Sequence, residues 1–247
     1  MTTTPTNSKQ RQPVAPLLPR FVSSSEDVEE VNTEAANTAY QIGIDECGRG
    51  PLFGRLYVAG CVLPDVDFRH ADMKDSKRFS SKPKMKIVAE YVKQHAIAWH
   101  IAFVEPDIID TVNIRQSVLR AMHECARECI KQCSEVDSRL PFLLIDGNDF
   151  KPLMIWDDDD EKFAQVPHVT IEKGDNTYTA IAAASILAKV AHDEYIWEMC
   201  RQHPELITKY HLDSNVGYGT KAHMDGIREH GLTEWHRKTF CRNCMPL

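Results

Sequence analysis

The segment Ile42 to Cys61, IGIDECGRGPLFGRLYVAGC, joins two apolar, β-branched runs through a loop with glycines at 48, 50 and 54. It sets two adjacent carboxylates, Asp45 and Glu46, at the end of the first run. Tyr40, Ile42 and Ile44 read as one strand and Arg55 to Leu63 as the next. Gly48, Gly50, Pro51 and Gly54 punctuate a tight turn between them. A glycine loop lets the backbone approach a ligand closely. With Arg49 beside the acid pair, these are the residue types of a metal site facing a polyanion; a plain hairpin with solvated acids is the competing reading. Two nucleotide-binding motifs are excluded, because the loop lacks a Gly-Lys-Ser/Thr ending and its glycines do not make GxGxxG.

Downstream, Ser80 or Ser81 can cap a helix running to about His95, and Ala96 to Val104 reads as a third strand. Pro106 suits the first turn of a short helix. Ile114, Val118, Leu119 and Met122 carry a helical period toward Cys133. Phe142 to Ile145 is a short buried strand that a turn ends at Asp146. Asp149 to Pro167 is an excursion before a strand at His168 to Glu172. Gly174 and Asp175 lead into a long helix from about Thr177 to Arg201, which Pro204 ends. Strands followed by alternating strands and helices suggest a mixed sheet flanked by helices.

The chain has 247 residues, 43% hydrophobic and 26% charged, enough for one α/β domain with its own core. Its formal net charge of −7 argues against coating nucleic acid by bulk charge, so a nucleic-acid enzyme of this composition must concentrate its basic groups locally. Residues 1–37 are polar with few large apolar groups and read as a disordered leader; 38–240 form the domain and 241–247 a tail. No signal peptide or membrane span is visible, which points to a soluble cytoplasmic protein with reduced thiols. Cys125, Cys129 and Cys133 recur every four residues, a helical stripe best explained by core packing. Cys241 and Cys244 make a lone CxxC with no second pair to complete a zinc site.

The loop, together with LLIDGN (143–148), EKGDNTYTAIAAASILAKVAHDEY (172–195) and GYGTKAH (217–223), resembles the type 2 ribonuclease H family, ribonuclease HII, in motif order and approximate spacing. The resemblance spans almost everything from Tyr40 to Phe240. It implies an α/β, ribonuclease H-like mixed sheet flanked by helices with a C-terminal helical extension. The implied activity is endonucleolytic cleavage of the RNA strand of RNA:DNA hybrids, and incision 5′ of ribonucleotides embedded in duplex DNA, by two-metal catalysis with Mg2+ or Mn2+. A monomer acting on those nucleic acids, away from membranes, is the expectation.

The same resemblance implies that Asp45, Glu46, Asp146 and Asp193 hold the metals. For Asp193 alone, the residue reading favours a solvated acid on a helix surface. Gly48, Arg49 and Gly50 would read the ribose 2′-hydroxyl, the group that distinguishes RNA from DNA. Tyr218 would pack on the sugar beyond the junction, against the plainer reading of a turn tyrosine. Lys173, Lys189 and Lys77 are phosphate contacts or simple surface lysines. Two departures stand out: Cys47 where the family usually has alanine, and His192 where an arginine is common, which would weaken a phosphate contact or make it pH-dependent. A type 3 enzyme fits less well, since its loop lacks Gly-Arg-Gly and its N-terminal domain is folded. A non-catalytic hybrid-binding subunit would be expected to lose acids that are present here, and a catalytic subunit needing accessory proteins stays open.

Overall fold

Tyr40, Ile42 and Ile44 alternate toward one face of β1 (Tyr40–Cys47), the centre of a five-stranded sheet in this computed structural model. The structure describes residues 15–22, 37, 39–79, 81–134, 139–157 and 161–244. β1 pairs antiparallel with β2 (Leu56–Val62) and parallel with β4 (Pro141–Asp146). β3 (Ala98–Val104) adds antiparallel to β2, and β7 (His168–Ile171) adds parallel to β4, giving the order β3-β2-β1-β4-β7. The mixed sheet expected from the sequence is present.

Helices cover both faces. α1 (Lys82–His95) begins beside Ser81 as expected, although Ser81 makes no side-chain cap; Ser80 lies outside the described residues. α2 (Pro106–Val112) and the 21-residue α3 (Ile114–Ser134) follow. On the α3 face, Cys125, Cys129 and Cys133 are fully buried among Ile42, Val58, Leu143 and Ile145, so the cysteine stripe is core. α4 (Thr179–Gln202) covers the other face with α1, through a run of buried alanines from Ala180 to Ala188. Its approach is unusually close: a Cβ on Gly43 would fall 2.2 Å from the Ala180 carbonyl carbon, so glycine is required where helix and central strand cross. The C-terminal part is helical, with α5 (Glu205–Tyr210), α6 (Leu212–Asn215) and α7 (Lys221–His230). Among the described residues no helix is long and apolar enough to cross a membrane.

Three segments depart from the sequence reading. Within 149–167 lies a two-stranded hairpin, β5 (Met154–Asp157) and β6 (Lys162–Gln165), with Trp156 and Phe163 packed edge to face at 5.2 Å. Its alternation was hidden by the acidic run between the strands, of which residues 158–160 lie outside the described ones. Within the leader, residues 15–22 dock: the Leu18 amide donates to the Thr177 carbonyl and the Leu18 carbonyl accepts from Thr179. Phe21 stacks on Phe142 and meets Tyr178 edge-on. Two apolar anchors were too few to register against the polar background; residues 1–14 and 23–36 lie outside the described residues. Cys241 and Cys244 are buried with Leu52, Phe53 and Ile196, so the first residues of the tail belong to the packed core.

Candidate active site

Parallel pairing of β1 with β4 fixes the heart of the site. The register runs Gly43↔Leu144 and Ile44↔Ile145, which sets the next residues, Asp45 and Asp146, side by side. Side chains alternate along a strand. Ile44 and Ile145 therefore enter the α3-side core, while Asp45 and Asp146 share the α4 face with Gly43 and Leu144.

Asp45 is almost fully buried. One oxygen accepts the Glu46 amide at 2.7 Å, and Ser185 of α4 hydrogen-bonds to the carboxylate. Burial, then the charges of Asp146 and Glu46, hold its carboxyl well above the usual range. Glu46 is raised by burial, with Arg49 opposing and Asp146 adding to the shift. Asp146 is raised by burial against the opposing pull of the Asp175 and Gly174 amides and the Lys77 charge. Lys77, in the DSK turn, therefore faces the site.

The turn before α4 brings in a further carboxylate that the sequence reading passed over. The Asp175 amide lies 3.4 Å from Asp146 Oδ1. The Asp175 carboxyl is raised by burial, then by Asp146 and Asp75. Lys173 takes a left-handed conformation (φ 57°) to start this turn. Gly174 completes it where a Cβ would meet Ile181 Cδ1 at 2.5 Å. In the sequence, Lys-Gly-Asp looked only like a lead-in to the helix. A glycine that permits close packing directly before an acid was the signal that could have found Asp175.

Asp193 is engaged differently. On α4 it accepts from Lys189 Nζ at 2.7 Å and lies 3.1 Å from His192 Nδ1, both on the same oxygen. Burial acts to raise its carboxyl, but the bonds to His192 and Lys189 outweigh that and leave it below the usual range. Its charge is thus already balanced by a lysine. The same pair answers for Lys189, which is half-buried and occupied, whereas Lys173 is exposed with its side chain toward solvent.

Among the described residues no group of three His, Cys, Asp or Glu side chains forms a ready-made metal cage. The chemistry of the donor set nevertheless fits hard divalent cations. Asp45, Glu46, Asp146 and Asp175 offer oxygen ligands only, and buried carboxylates that repel one another are what a cation relieves. Magnesium in particular needs only one or two carboxylates, with waters and substrate oxygens filling the rest. Cys47 is a soft donor beside them, and burial pushes its thiol up to about 12.

Beside the acids, Gly48 turns the loop at φ +87°, and a Cβ there would lie 2.7 Å from the His192 ring. Arg49 is exposed, with Nη1 3.4 Å from Glu46 Oε1. Gly50 faces Tyr218, whose ring edge lies 3.9 Å from where a Cβ would stand. Tyr218 is 39% exposed, so ring and loop together form an open ledge beside the carboxylates. His192 is fully buried under Gly48 and burial lowers its pKa. It supports the loop, and its burial favours a weakened phosphate contact over a pH-dependent one.

Comparison with known proteins agrees with this fold. The family model described as Ribonuclease HII matches residues 42–243. Ribonuclease HII of Parabacteroides distasonis is 40% identical over 200 residues, covering 81% of this chain and 89% of that protein. Ribonuclease HII of Oceanobacillus iheyensis is 34% identical over 234 residues, covering 95% and 80%. In fold, the chain is similar to the ribonuclease HII from Archaeoglobus fulgidus solved in complex with PCNA (TM-score 0.58, 23% identity, 80% and 93% covered). It is likewise similar to the type HIII ribonuclease H named Bst-RNase HIII, solved with Mn2+ (TM-score 0.56, 19% identity, 88% and 71% covered). With its ribonuclease H-like sheet and these matches over most of its length, the chain belongs to the ribonuclease HII family, whose activity is cleavage of the RNA of RNA:DNA hybrids.

Proposed function

We propose that this ribonuclease H also incises duplex DNA on the 5′ side of an isolated ribonucleotide, leaving a 3′-hydroxyl and a 5′-phosphate, with Mg2+ or Mn2+ bound at Asp45, Glu46, Asp146 and Asp175. The observation that carries the reading is the ledge formed by Gly48, Arg49, Gly50 and Tyr218 directly beside the carboxylates. Gly48 is buried and turns the loop, while Gly50 is exposed with no side chain over its backbone, and the 2′-hydroxyl, both donor and acceptor, is what such backbone groups can recognise. Tyr218 offers a flat apolar surface to the neighbouring sugar.

Bound divalent cations would supply charge stabilisation at the attacking and leaving oxygens. Asp45 and Asp146 would hold them from adjacent strand ends, and Glu46 and Asp175 from either side. Arg49 and Lys77, the cations facing this group, would draw the phosphate in. Asp193 is assigned a supporting role instead of the expected metal ligation: it fixes Lys189 and His192 and, through His192, the floor of the loop. The chain is proposed to act as a cytoplasmic monomer. The test is a duplex with one embedded ribonucleotide, offered to the purified chain with Mg2+ or Mn2+. Incision 5′ of that residue supports the reading, and equal cutting of an all-DNA duplex contradicts it.

A further inference from the structure

Arg237 is fully buried, and among the described residues no carboxylate is hydrogen-bonded to it, Asp110 acting on it only through its charge. Its Nε donates to the Gly54 carbonyl at 2.8 Å and its Nη1 to the Arg49 carbonyl at 3.2 Å, while Nη2 has no partner among the described residues. A buried charge with no carboxylate hydrogen-bonded to it is costly, so its placement calls for a return. Both carbonyls belong to the loop that carries Gly48 to Gly50. The backbone around Arg237 grips the same loop: the Arg237 amide donates to Leu52, Gly54 donates to Trp235, and Phe53 bridges His236.

The same short segment also reaches Tyr218. His223 Nδ1 lies 3.0 Å from the Tyr218 carbonyl, which can only accept, so Nδ1 carries the proton. His223 Nε2 must then accept, and His236 Nε2, 3.2 Å away, donates to it. That leaves His236 Nδ1 to accept from the Thr233 amide at 3.0 Å. Both rings are buried and burial lowers both pKa values, that of His236 to about 3, so the chain of neutral rings is fixed in one tautomeric order. Leu52 closes the circuit by donating to the Gly217 carbonyl, one residue before Tyr218.

We propose that Arg237 and the His236–His223 pair are positioning residues that register the Gly48–Gly50 loop against Tyr218, and so set the preference for an RNA to DNA junction. This rests on the reading of that ledge as the junction reader. A junction offers a single 2′-hydroxyl and a single following sugar, so both halves of the ledge must be in place together. A continuous hybrid offers the same contacts at every step and tolerates misregister.

The experiment compares kcat/KM on a duplex with one ribonucleotide and on a continuous RNA:DNA hybrid, at matched salt, for wild type, Arg237→Lys, Arg237→Met and His223→Gln. Arg237→Lys keeps the charge but can serve one carbonyl at a time; Arg237→Met serves neither. His223→Gln keeps an acceptor for His236 and gives up the donor to Tyr218. The ratio of the two rates should fall about tenfold for Arg237→Met, less for Arg237→Lys and about fivefold for His223→Gln, the size expected when one or two hydrogen bonds to the ledge are lost. Variants that slow both substrates in equal proportion overturn the inference, since a purely structural role moves both. If the Arg237 variants do not fold, the near-isosteric His223→Gln decides on the same criterion. A wild-type enzyme that leaves the single ribonucleotide uncut overturns the junction reading itself, and is distinguished because it shows before any substitution is made.

Discussion

Lys189 Nζ lies 2.7 Å from Asp193 Oδ1, one helical turn along α4, so the charge of Asp193 is already paired. Asp175 instead sits against Asp146, with its carboxyl raised by burial and by that neighbour. Asp175→Asn should therefore reduce turnover by roughly three orders of magnitude, the scale of losing a metal ligand. Asp193→Asn should retain more than about a tenth of wild-type turnover while losing stability, because it strands Lys189 beside a neutral partner. Single-turnover rates at saturating Mg2+ check both, and the reverse ranking would restore Asp193 to the metal site.

The raised carboxyl of Asp45 gives a pH dependence whose sign is fixed. Its folded-state pKa exceeds its unfolded value, so the folded chain binds the proton more tightly, and metal-free stability from this group falls as pH rises from the unfolded pKa toward the folded one. Without divalent cations, Asp45→Asn should raise the melting temperature at pH 8 by a few degrees and change it little below pH 4, a scale of about 1 kcal/mol. Added Mg2+ should stabilise wild type more at pH 8 than at pH 5, and Asp45→Asn less than wild type at both. Calorimetry across that range tests the sign; a metal-free Asp45→Asn protein that melts lower at pH 8 contradicts it.

Gly43 makes the contact on which the site's geometry rests. An alanine there would press its Cβ into the Ala180 backbone at 2.2 Å. Backbone cannot yield as a flexible side chain does, so Gly43→Ala should cost about 3 kcal/mol or more. Denaturant unfolding measures it, and a loss below about 1 kcal/mol would mean that α4 can shift on the sheet.

Truncation after Phe240 should leave the chemistry in place, since among the described residues no ligand set surrounds Cys241 and Cys244. The structure adds a stability cost to that expectation: both thiols are buried, and Cys241 packs under Leu52 of the loop segment. The truncated protein should melt several degrees lower, in keeping with about 1–2 kcal/mol of lost burial, with turnover per folded molecule within a factor of about two. A melting temperature equal to wild type would show that the tail does not pack. Stoichiometric zinc in the full chain would reverse the assignment of that CxxC.

The strands and long helices were legible because each carries an unbroken period: alternate apolar residues from Tyr40 to Ile44, and the 3.6-residue recurrence from Ile114 to Cys133. The acids of β1 and β4 were legible because each closes an apolar run at a turn. The closeness of Asp175 to Asp146 was not, because it depends on how the turn before α4 packs against the end of β4, a tertiary contact with no local trace. The place of His192 was hidden for a related reason: one face of α4 is almost wholly buried, and nothing in the helix says that residue 192 lies under Gly48 instead of at the surface. The docking of residues 15–22 and the hold of Arg237 on the loop join segments well over a hundred residues apart, which periodicity cannot reveal.

The central claim is that the Gly48–Gly50 loop and Tyr218 direct the carboxylate site to a single RNA to DNA step. The measurement that tests it most directly is the initial rate of Tyr218→Ala on a duplex with one ribonucleotide and on a continuous hybrid, at matched salt because backbone binding is strongly salt-dependent. The account predicts a loss of about tenfold or more at the isolated ribonucleotide, a smaller loss on the continuous hybrid, and unchanged Mg2+ affinity. An unchanged rate at the isolated ribonucleotide, or a wild-type product ending in a cyclic phosphate, would contradict it.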